Sequence, residues 1–327
     1  MTNTDFITKI LAPYQPQLPT EELVLEVNRL YHAVEAQDYD DRHPEVHEQL
    51  PPIWKEMTDH AAKTAEVKEW RILDFGCGTG FEAEQLIRYL PQGSIARLTC
   101  YDPSPEMLDR CRAKITPLFS DAVFVSDLSS QLDDPQTYNL LATNSLLHHL
   151  PNPLGTINYL LPQLSKNVLW LAGHEPSSRF YKNAECARLY KGFSQQKQWS
   201  RFLSVENYLT KAKQLVGLRS NPSKEAAKAA FHKGLFKQQP SPFVVGRLVD
   251  FHVAHSLEEA SQGRGFDFKS MQQEFADSWQ LEWVKTYSFM GSSYEQDLSS
   301  RWSDASREMA QKFPDDGANF CTVWRRN

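Results

Sequence analysis

The stretch Asp74-Phe75-Gly76-Cys77-Gly78-Thr79-Gly80 decides the fold class of this chain. It continues a short apolar run at residues 71–75, and the segment after it repeats apolar residues at helical spacing over 83–90. Glycines at such a strand-to-helix turn allow a tight bend and let a ligand approach the main chain. The helix that follows points its first N–H groups toward the same place. The pattern predicts a ligand-binding loop between a first strand and its helix.

Strands and helices alternate after this loop. Ser104 followed by Pro105 has the residue types of a helix start. Alternation of this kind indicates a parallel sheet with helices on both faces. We predict an α/β fold with a Rossmann-like, mostly parallel, seven-stranded sheet. The strands are expected at 71–75, 95–101, 122–126, 138–143, 167–172, 281–289 and 320–324, with a polar helix at 294–312.

Four regions are expected along the chain. Residues 1–65 form an N-terminal helical extension and lid, 66–176 the core of the sheet, 177–262 a helical insertion, and 263–327 the C-terminal part of the sheet. Within the extension, 21–34 has helical periodicity. The polar, proline-bounded segment YDDRHPEVHEQLPP is expected to be a loop that leads into a helix at Trp54.

The spacing of the glycines distinguishes between kinds of nucleotide. A dinucleotide loop has the pattern G-x-G-x-x-G, which from Gly76 would place its third glycine where Phe81 stands. The third glycine is instead Gly80. Asp102 ends the second predicted strand, where a carboxylate can accept hydrogen bonds from both hydroxyls of a ribose. The sequence therefore favours a nucleoside ligand other than a dinucleotide.

The G-x-G-x-G loop preceded by Asp74 resembles motif I of the class I S-adenosylmethionine-dependent methyltransferases, in particular the small-molecule enzymes of the ubiquinone and menaquinone type. The resemblance extends over about residues 68–176 and implies S-adenosylmethionine as the cofactor. It implies an acid near the cationic methionine tail, an acid on the ribose, an apolar residue and an acid at the adenine, and a segment at 144–150 along the methyl end. The cofactor-binding residues expected on this basis are Asp74, Gly76, Cys77, Gly78, Gly80, Asp102, Pro103, Met107, Asp127, Leu128 and Asn144.

Candidate catalytic residues follow the fourth and fifth strands. His148 and His149 follow one strand, and His174 and Glu175 follow the other, at the edge where open α/β sheets bind ligands. A base positioned there would remove a proton from a hydroxyl or amine acceptor. An acidic carbon or a carboxylate acceptor would need little or no base, and each of the four side chains has packing or capping as its alternative role.

Candidate acceptor contacts come from both helical regions. Tyr39 resembles the lid tyrosines of small-molecule methyltransferases. The segment 179–247 carries 14 Lys and Arg against 3 Asp and Glu. Such a balance would attract a carboxylate or phosphate, although lysines on outer helix faces often only interact with solvent. We expect this insertion to cover the site, with Arg179, Tyr181 and Lys182 at an anionic small-molecule acceptor.

Composition narrows the class of protein. The net charge of -6 disfavours a general nucleic-acid partner. Five scattered cysteines without a CxxC pair favour neither a disulfide framework nor a metal site, and they fit a reducing cytoplasm. No apolar run is long enough for membrane insertion, and no signal peptide is recognisable at the N-terminus. The sequence specifies no oligomeric state.

Three functions compete at this point. The first is S-adenosylmethionine-dependent methyl transfer to a small molecule. The second is an RNA or protein methyltransferase that uses the basic insertion to hold its partner. The third is a non-catalytic S-adenosylmethionine-binding protein, since an intact loop with Asp74 and Asp102 indicates binding but does not demonstrate turnover.

Overall fold

The computed structural model describes residues 3–128, 137–203, 221–254, 256–261, 263–292 and 295–327. Its strands are β1 (Trp70–Phe75), β2 (Ile95–Tyr101), β3 (Val123–Val125), β4 (Tyr138–Asn144), β5 (Leu164–Pro176), β6 (Trp279–Tyr287), β7 (Phe289–Ser292) and β8 (Asn319–Arg326). A seven-stranded sheet has the order β3-β2-β1-β4-β5-β8-β6. The first five strands are parallel, and β8 lies antiparallel between β5 and β6. The predicted α/β sheet is confirmed.

Helices cover both faces of this sheet, and further helices extend beyond it. They are α1 (Asn3–Leu11), α2 (Thr20–Glu35), α3 (Tyr39–Arg42), α4 (Pro44–Thr64), α5 (Phe81–Tyr89), α6 (Pro105–Ile115), α7 (Pro153–Tyr159), α8 (Arg179–Lys182), α9 (Ala184–Leu203), α10 (Pro222–His232), α11 (Pro242–Val249), α12 (Leu257–Ser261), α13 (Phe268–Glu274) and α14 (Ser300–Lys312). Single 3₁₀ turns lie at Ala12–Tyr14, Leu147–His149, Leu161–Gln163 and Glu295–Asp297. In the described part of the chain, no helix combines the length and apolar character that a membrane crossing requires.

The central strands are apolar on both faces, as buried parallel strands usually are. Ile72 of β1 and Leu140 of β4 belong to a core on one face, whereas Leu73 and Leu141 belong to a core on the other. Successive side chains of a strand point to opposite faces, so the two cores share the same strands. This packing fixes the carboxyl ends of β1, β2 and β4 side by side, and the polar loops that follow them meet at one edge.

The segment 39–52 is helical, and the prediction of a loop there is wrong. It forms α3 and the first part of α4, which continues through Pro51 and Pro52. A proline inside a helix costs about 3 kcal/mol, because it removes a backbone hydrogen bond and crowds the preceding turn. Leu50 and Trp54 are fully buried against the sheet on this helix. Burial of large apolar side chains contributes about 1.5–3 kcal/mol each, which offsets the prolines.

The insertion after β5 divides into two groups of helices. α8 and α9 pack through Phe180 and Cys186 against Phe289 of β7 and Met309 of α14. α10 and α11 instead pack on α1 and α2, in a separate core that includes Ala226, Val245 and Leu23. The second group therefore lies with the N-terminal helices and forms one helical layer with them.

Candidate functional site

A cavity of about 1010 Å³ opens at the carboxyl ends of β1, β2 and β4. One end is lined by the glycine loop, by Asp102 and Asp127, which come just after β2 and β3, and by Asn144, the last residue of β4. The other end is lined by α2 and by Lys233 and Leu235, which follow α10. The sheet edge and the helical layer thus enclose one continuous space.

The glycine loop adopts backbone conformations that only glycine reaches without strain. Gly76, Gly78 and Gly80 have φ angles of 79°, 50° and 87°. A Cβ on Gly76 would lie 2.7 Å from Cδ1 of Leu146, and one on Gly80 would lie 2.9 Å from Sγ of Cys111. Nothing lies within 4 Å of a Cβ on Gly78. The loop is packed tightly on its protein side, and at Gly78 it is open for a ligand.

Asp102 holds this loop from the end of β2. Its Oδ2 accepts a hydrogen bond from the N–H of Gly78 at 3.0 Å, and its Oδ1 accepts one from the N–H of Ser104 at 2.8 Å. Burial raises the pKa of Asp102 to about 6, and the two N–H donors oppose that rise. A carboxylate oxygen has a second lone pair, so Asp102 can still accept hydrogen bonds from a ligand in the cavity.

An apolar wall continues the site beyond Asp102. Met107 and Leu128 line it, and the rings of Phe75 and Tyr101 stack there with centroids 5.0 Å apart. Sequence reasoning named Met107 and Leu128 and missed the two aromatic rings. Phe75 and Tyr101 are the final residues of β1 and β2. The apolar pattern of a strand does not reveal which of its residues face a cavity.

Two acidic side chains are buried beside the loop. Asp74 is fully buried and does not line the cavity, whereas Glu82, in the first turn of α5, does. Burial raises the pKa of both carboxyl groups well above its ordinary value, and the charge of Asp74 adds to the rise at Glu82. Within the described residues, neither oxygen of Asp74 makes a hydrogen bond of good geometry, although the N–H of Ala83 lies near enough to favour the charged form. An uncompensated pair of acids favours a cationic group nearby.

Glu175 anchors the turn that follows β4. Its buried carboxylate accepts hydrogen bonds from the N–H groups of Leu146, Leu147 and His148 at 3.0, 2.8 and 3.2 Å. It also lies 2.9 Å from Nδ1 of His148. Burial opposes a charge on His148, but the Glu175 carboxylate outweighs it and raises the pKa of that imidazole. His148 and Glu175 therefore position the turn and do not line the cavity.

His149 is the histidine of this turn that lines the cavity. Its Nδ1 lies 2.7 Å from the carbonyl oxygen of Val249, at the end of α11. A carbonyl only accepts hydrogen bonds, so Nδ1 carries the proton. Burial, then the neighbouring His148 and His32, lower the pKa of His149 well below its ordinary value. A neutral His149 with a protonated Nδ1 carries a lone pair on Nε2.

His174 faces a different environment. Its backbone has a φ of 55°, and its Nδ1 shares a hydrogen bond with the hydroxyl of Tyr287 in β6. Its own N–H donates to Sγ of Cys321 in β8 at 3.3 Å. His174 does not line the cavity. Of the four predicted catalytic residues, the structure places only His149 at the cavity.

The helical layer is joined to the glycine loop by Asp40 of α3. Thr79 donates its hydroxyl to Oδ1 of Asp40 at 2.6 Å, and Nζ of Lys114 lies 2.9 Å from Oδ2. Nε2 of His47 lies 3.3 Å from the same carboxylate. Burial opposes the charge of Asp40, but these three donors outweigh it and lower its pKa. Asp40 therefore ties the N-terminal lid to the loop and to α6.

The two cations at the α2 end of the cavity, Arg29 and Lys233, are paired with an acid. Arg29 of α2 lies 2.8 Å from Oε1 of Glu26, and Lys233 lies 2.8 Å from the same oxygen. The hydrogen bond from Arg29 lowers the pKa of Glu26 to about 2. Sequence reasoning missed this group, because it forms only when α10 packs on α2, more than 200 residues away along the chain.

The family comparison bears on the loop and the strands around it. Residues 72–159 match the family model described as a methyltransferase domain. Residues 72–159 carry a methyltransferase domain, in agreement with the class I S-adenosylmethionine-dependent family predicted from the glycine loop. S-adenosylmethionine is the cofactor of that family, and the cavity with Asp102 beside Gly78 is where the structure offers a nucleoside its contacts.

Similar proteins by sequence are two malonyl-[acyl-carrier protein] O-methyltransferases. That of Acetivibrio thermocellus is 31% identical over 120 residues, which are 36% of this chain and 41% of the relative. That of Halalkalibacterium halodurans is 24% identical over 130 residues, which are 39% of this chain and 47% of the relative. The chain spans less than half the length of these relatives.

Similar solved structures cover most of the chain. The plantazolicin methyltransferase BpumL, in complex with a pentazolic desmethylPZN analog and SAH, has a TM-score of 0.47 at 16% identity, over 94% of this chain and 98% of that one. The plantazolicin methyltransferase BamL has a TM-score of 0.47 at 12% identity, over 94% of this chain and 96% of that one.

The residues predicted from the methyltransferase resemblance mostly come together. Those that line the cavity are Gly76, Cys77, Gly78, Asp102, Pro103, Met107, Asp127, Leu128 and Asn144. Asp74 lies behind the loop, and Gly80 is the residue before α5. Tyr39, predicted as a lid residue, lines the cavity from α3.

The predicted acceptor contacts after β5 lie elsewhere. Arg179 lies 2.8 Å from Asp316 and 3.6 Å from Asp267. Tyr181 packs edge-on against Phe180, with ring centroids 5.2 Å apart, and Lys182 is exposed. None of these three lines the cavity. The reason is that α8 and α9 pack against β7 and α14, so closeness to β5 in sequence does not bring them to the open edge of the sheet.

Proposed function

We propose that this protein transfers a methyl group from S-adenosylmethionine to a small-molecule acceptor bound between the sheet edge and the helical layer. The observation that carries the proposal is the single cavity whose one end has the glycine loop and Asp102 and whose other end has α2 and His149. A cofactor and an acceptor in such a space would meet near the end of β4.

The cofactor end fits S-adenosylmethionine by its chemistry. Asp102 offers carboxylate oxygens to a ribose, and Met107, Leu128 and the rings of Phe75 and Tyr101 offer apolar contact to an adenine. Glu82 lines the cavity and Asp74 is buried beside the glycine loop, and the two acids suit a cationic methionine tail. When bound, the sulfonium supplies an activated methyl group.

The acceptor end is proposed to orient one nucleophilic atom. Nε2 of neutral His149 would accept a hydrogen bond from an acceptor hydroxyl or amine and take its proton as the nucleophile attacks. Holding the reacting atoms in line supplies up to about 7–11 kcal/mol of the barrier reduction, and a positioned base adds about 10²–10⁴-fold in rate. Glu175 and His148 would hold the turn that carries His149, which makes them positioning residues.

The charges of the cavity favour an acceptor with an apolar body over a strongly anionic one. Arg29 and Lys233 share Glu26, and Leu18 and Leu25 line the same end. Leu25 is 48% exposed. The same pairing weakens the alternative of an RNA acceptor, because phosphate contacts require uncompensated cations.

Two experiments test the proposal. Calorimetry should show saturable binding of S-adenosylmethionine and its demethylated product and no binding of NAD, and the opposite result would overturn the cofactor assignment. Incubation with labelled cofactor should transfer the methyl group to a component of a metabolite extract. Malonyl-[acyl-carrier protein], the acceptor named for the two relatives, is tested beside it, together with total RNA. Label on RNA alone would support the second function, and binding without transfer to any acceptor would support the non-catalytic one.

A further inference from the structure

Three cysteines meet behind the glycine loop. Cys77 belongs to the loop, Cys100 to β2 and Cys111 to α6, and all three are free thiols. Their Sγ atoms all lie within 4.8 Å of one another. The three residues are 1%, 0% and 0% exposed. Buried cysteine often serves as a small apolar residue, but three sulfur atoms in mutual contact also form the ligand set of a thiolate metal site.

We propose that Cys77, Cys100 and Cys111 form a three-coordinate site for a soft monovalent cation, with Cu(I) as the ion that fits the ligands. Thiolates select Cu(I), zinc and iron–sulfur clusters among biological metals. Structural zinc and iron–sulfur clusters usually take four protein ligands, and this group contains three sulfur atoms and no imidazole. Binding forms up to three Cu–S bonds and releases the protons of those cysteines that are still thiols. No oxidation or reduction is involved.

The proposed site borders the cavity through one of its members. Cys77 lines the cavity, whereas Cys100 and Cys111 do not. The N–H of Cys77 donates to the carbonyl oxygen of Tyr101 at 2.9 Å, beside Asp102. Drawing the three sulfur atoms onto one ion would move Cys77 and with it Gly76 and Gly78. Cu(I) and a nucleoside ligand should therefore weaken each other's binding by the same factor, since coupling between two sites is reciprocal.

The chain provides its own matched controls. Cys186 and Cys321 are also 0% exposed free thiols, and neither belongs to the group. The full-length protein is titrated anaerobically with Cu(I) against a chromophoric Cu(I) chelator. Wild type, Cys186→Ser and Cys321→Ser should each bind one equivalent with the same affinity. Cys100→Ser and Cys111→Ser should bind at least about 100-fold more weakly, because loss of a metal ligand exceeds the roughly 10–100-fold cost of losing an outer-shell partner.

X-ray absorption at the copper edge of the loaded wild type gives a second measurement that needs no variant. Three sulfur neighbours and no nitrogen neighbour are expected. Absence of stoichiometric binding to wild type, nitrogen ligands, or equal loss in the control variants would each overturn the proposal. Because the titration measures metal bound to protein without cofactor, its outcome does not depend on the proposed methyl transfer.

Discussion

Replacing Asp102 with alanine tests how the glycine loop is held. The change removes the acceptor of two backbone hydrogen bonds, from Gly78 and from Ser104. Hydrogen bonds to a charged group contribute about 1.5–3 kcal/mol each. In the variant, binding of the demethylated cofactor has to order the loop. If this ordering costs as much free energy as one such hydrogen bond, the affinity falls by roughly 10–150-fold. Loss of the ribose contacts would add to that figure.

Asp127→Ala is the matched control for this experiment. Asp127 also lines the cavity and carries the same charge, but the loop N–H groups of Gly78 and Ser104 bond to Asp102. One adenine contact is worth about 0.5–1.5 kcal/mol, so the control should lose about 2–10-fold in affinity. Calorimetry with S-adenosylhomocysteine measures both variants, and circular dichroism checks that each is folded. Equal affinities of the Asp102 variant and wild type would refute the loop-holding role.

Three further predictions follow from the lid, from His149 and from Arg179. Asp40→Asn removes the charge that binds α3 to Thr79 and Lys114. Bound S-adenosylhomocysteine should then dissociate faster in a stopped-flow displacement experiment. An unchanged dissociation rate would contradict the lid contact. Burial lowers the pKa of His149 below its unfolded value. The neutral, buried His149 is therefore fully compatible with the folded state above about pH 6.5. Below that pH the free energy of unfolding falls, because the unfolded state binds a proton at His149 more tightly than the folded state does. Urea unfolding at pH 7.5 and 5.5 should show a smaller loss on acidification for His149→Gln than for wild type, and an equal loss would contradict this assignment. Arg179→Gln should lower the unfolding midpoint while the acceptor KM stays unchanged, since Arg179 pairs with Asp316 away from the cavity; a raised KM would return it to the acceptor site.

Local patterns were sufficient to predict the sheet and most of the residues that line the glycine-loop end of the cavity. A few neighbouring residues are enough to specify each of these local features. They include an apolar strand, a glycine turn and a helix N-cap such as Ser104. Ser104 accepts from the N–H of Met107 at the start of α6, as the Ser-Pro pair predicts. The location of Asp102 beside the glycine loop could be predicted from its position at the end of β2, because β2 pairs in parallel with β1.

The remaining features depend on contacts between distant parts of the chain. Pro51 and Pro52 are compatible with helix α4 only because its apolar face is buried on the sheet, which the local sequence does not reveal. The basic balance of 179–247 gave no guide to the cavity, since Arg179 and Lys233 are each paired with acids from other segments. The group of Cys77, Cys100 and Cys111 is likewise not evident from the sequence, because its members lie in a loop, a strand and a helix that meet only in the folded protein.

The two ends of the cavity are encoded by different stretches of the chain. The glycine loop lies within 72–159, whereas the opposite wall is built from α2 and from residues after α10. Under the proposed function, substitutions in α2 or α10 would change which acceptor fits without altering a contact of the glycine loop. The ion pair of Lys233 and Glu26 connects two separate segments in that wall. A substitution of one partner during evolution would therefore favour a compensating substitution of the other. Descendants of such a protein can acquire new acceptors while the chemistry of the methyl donor stays constant.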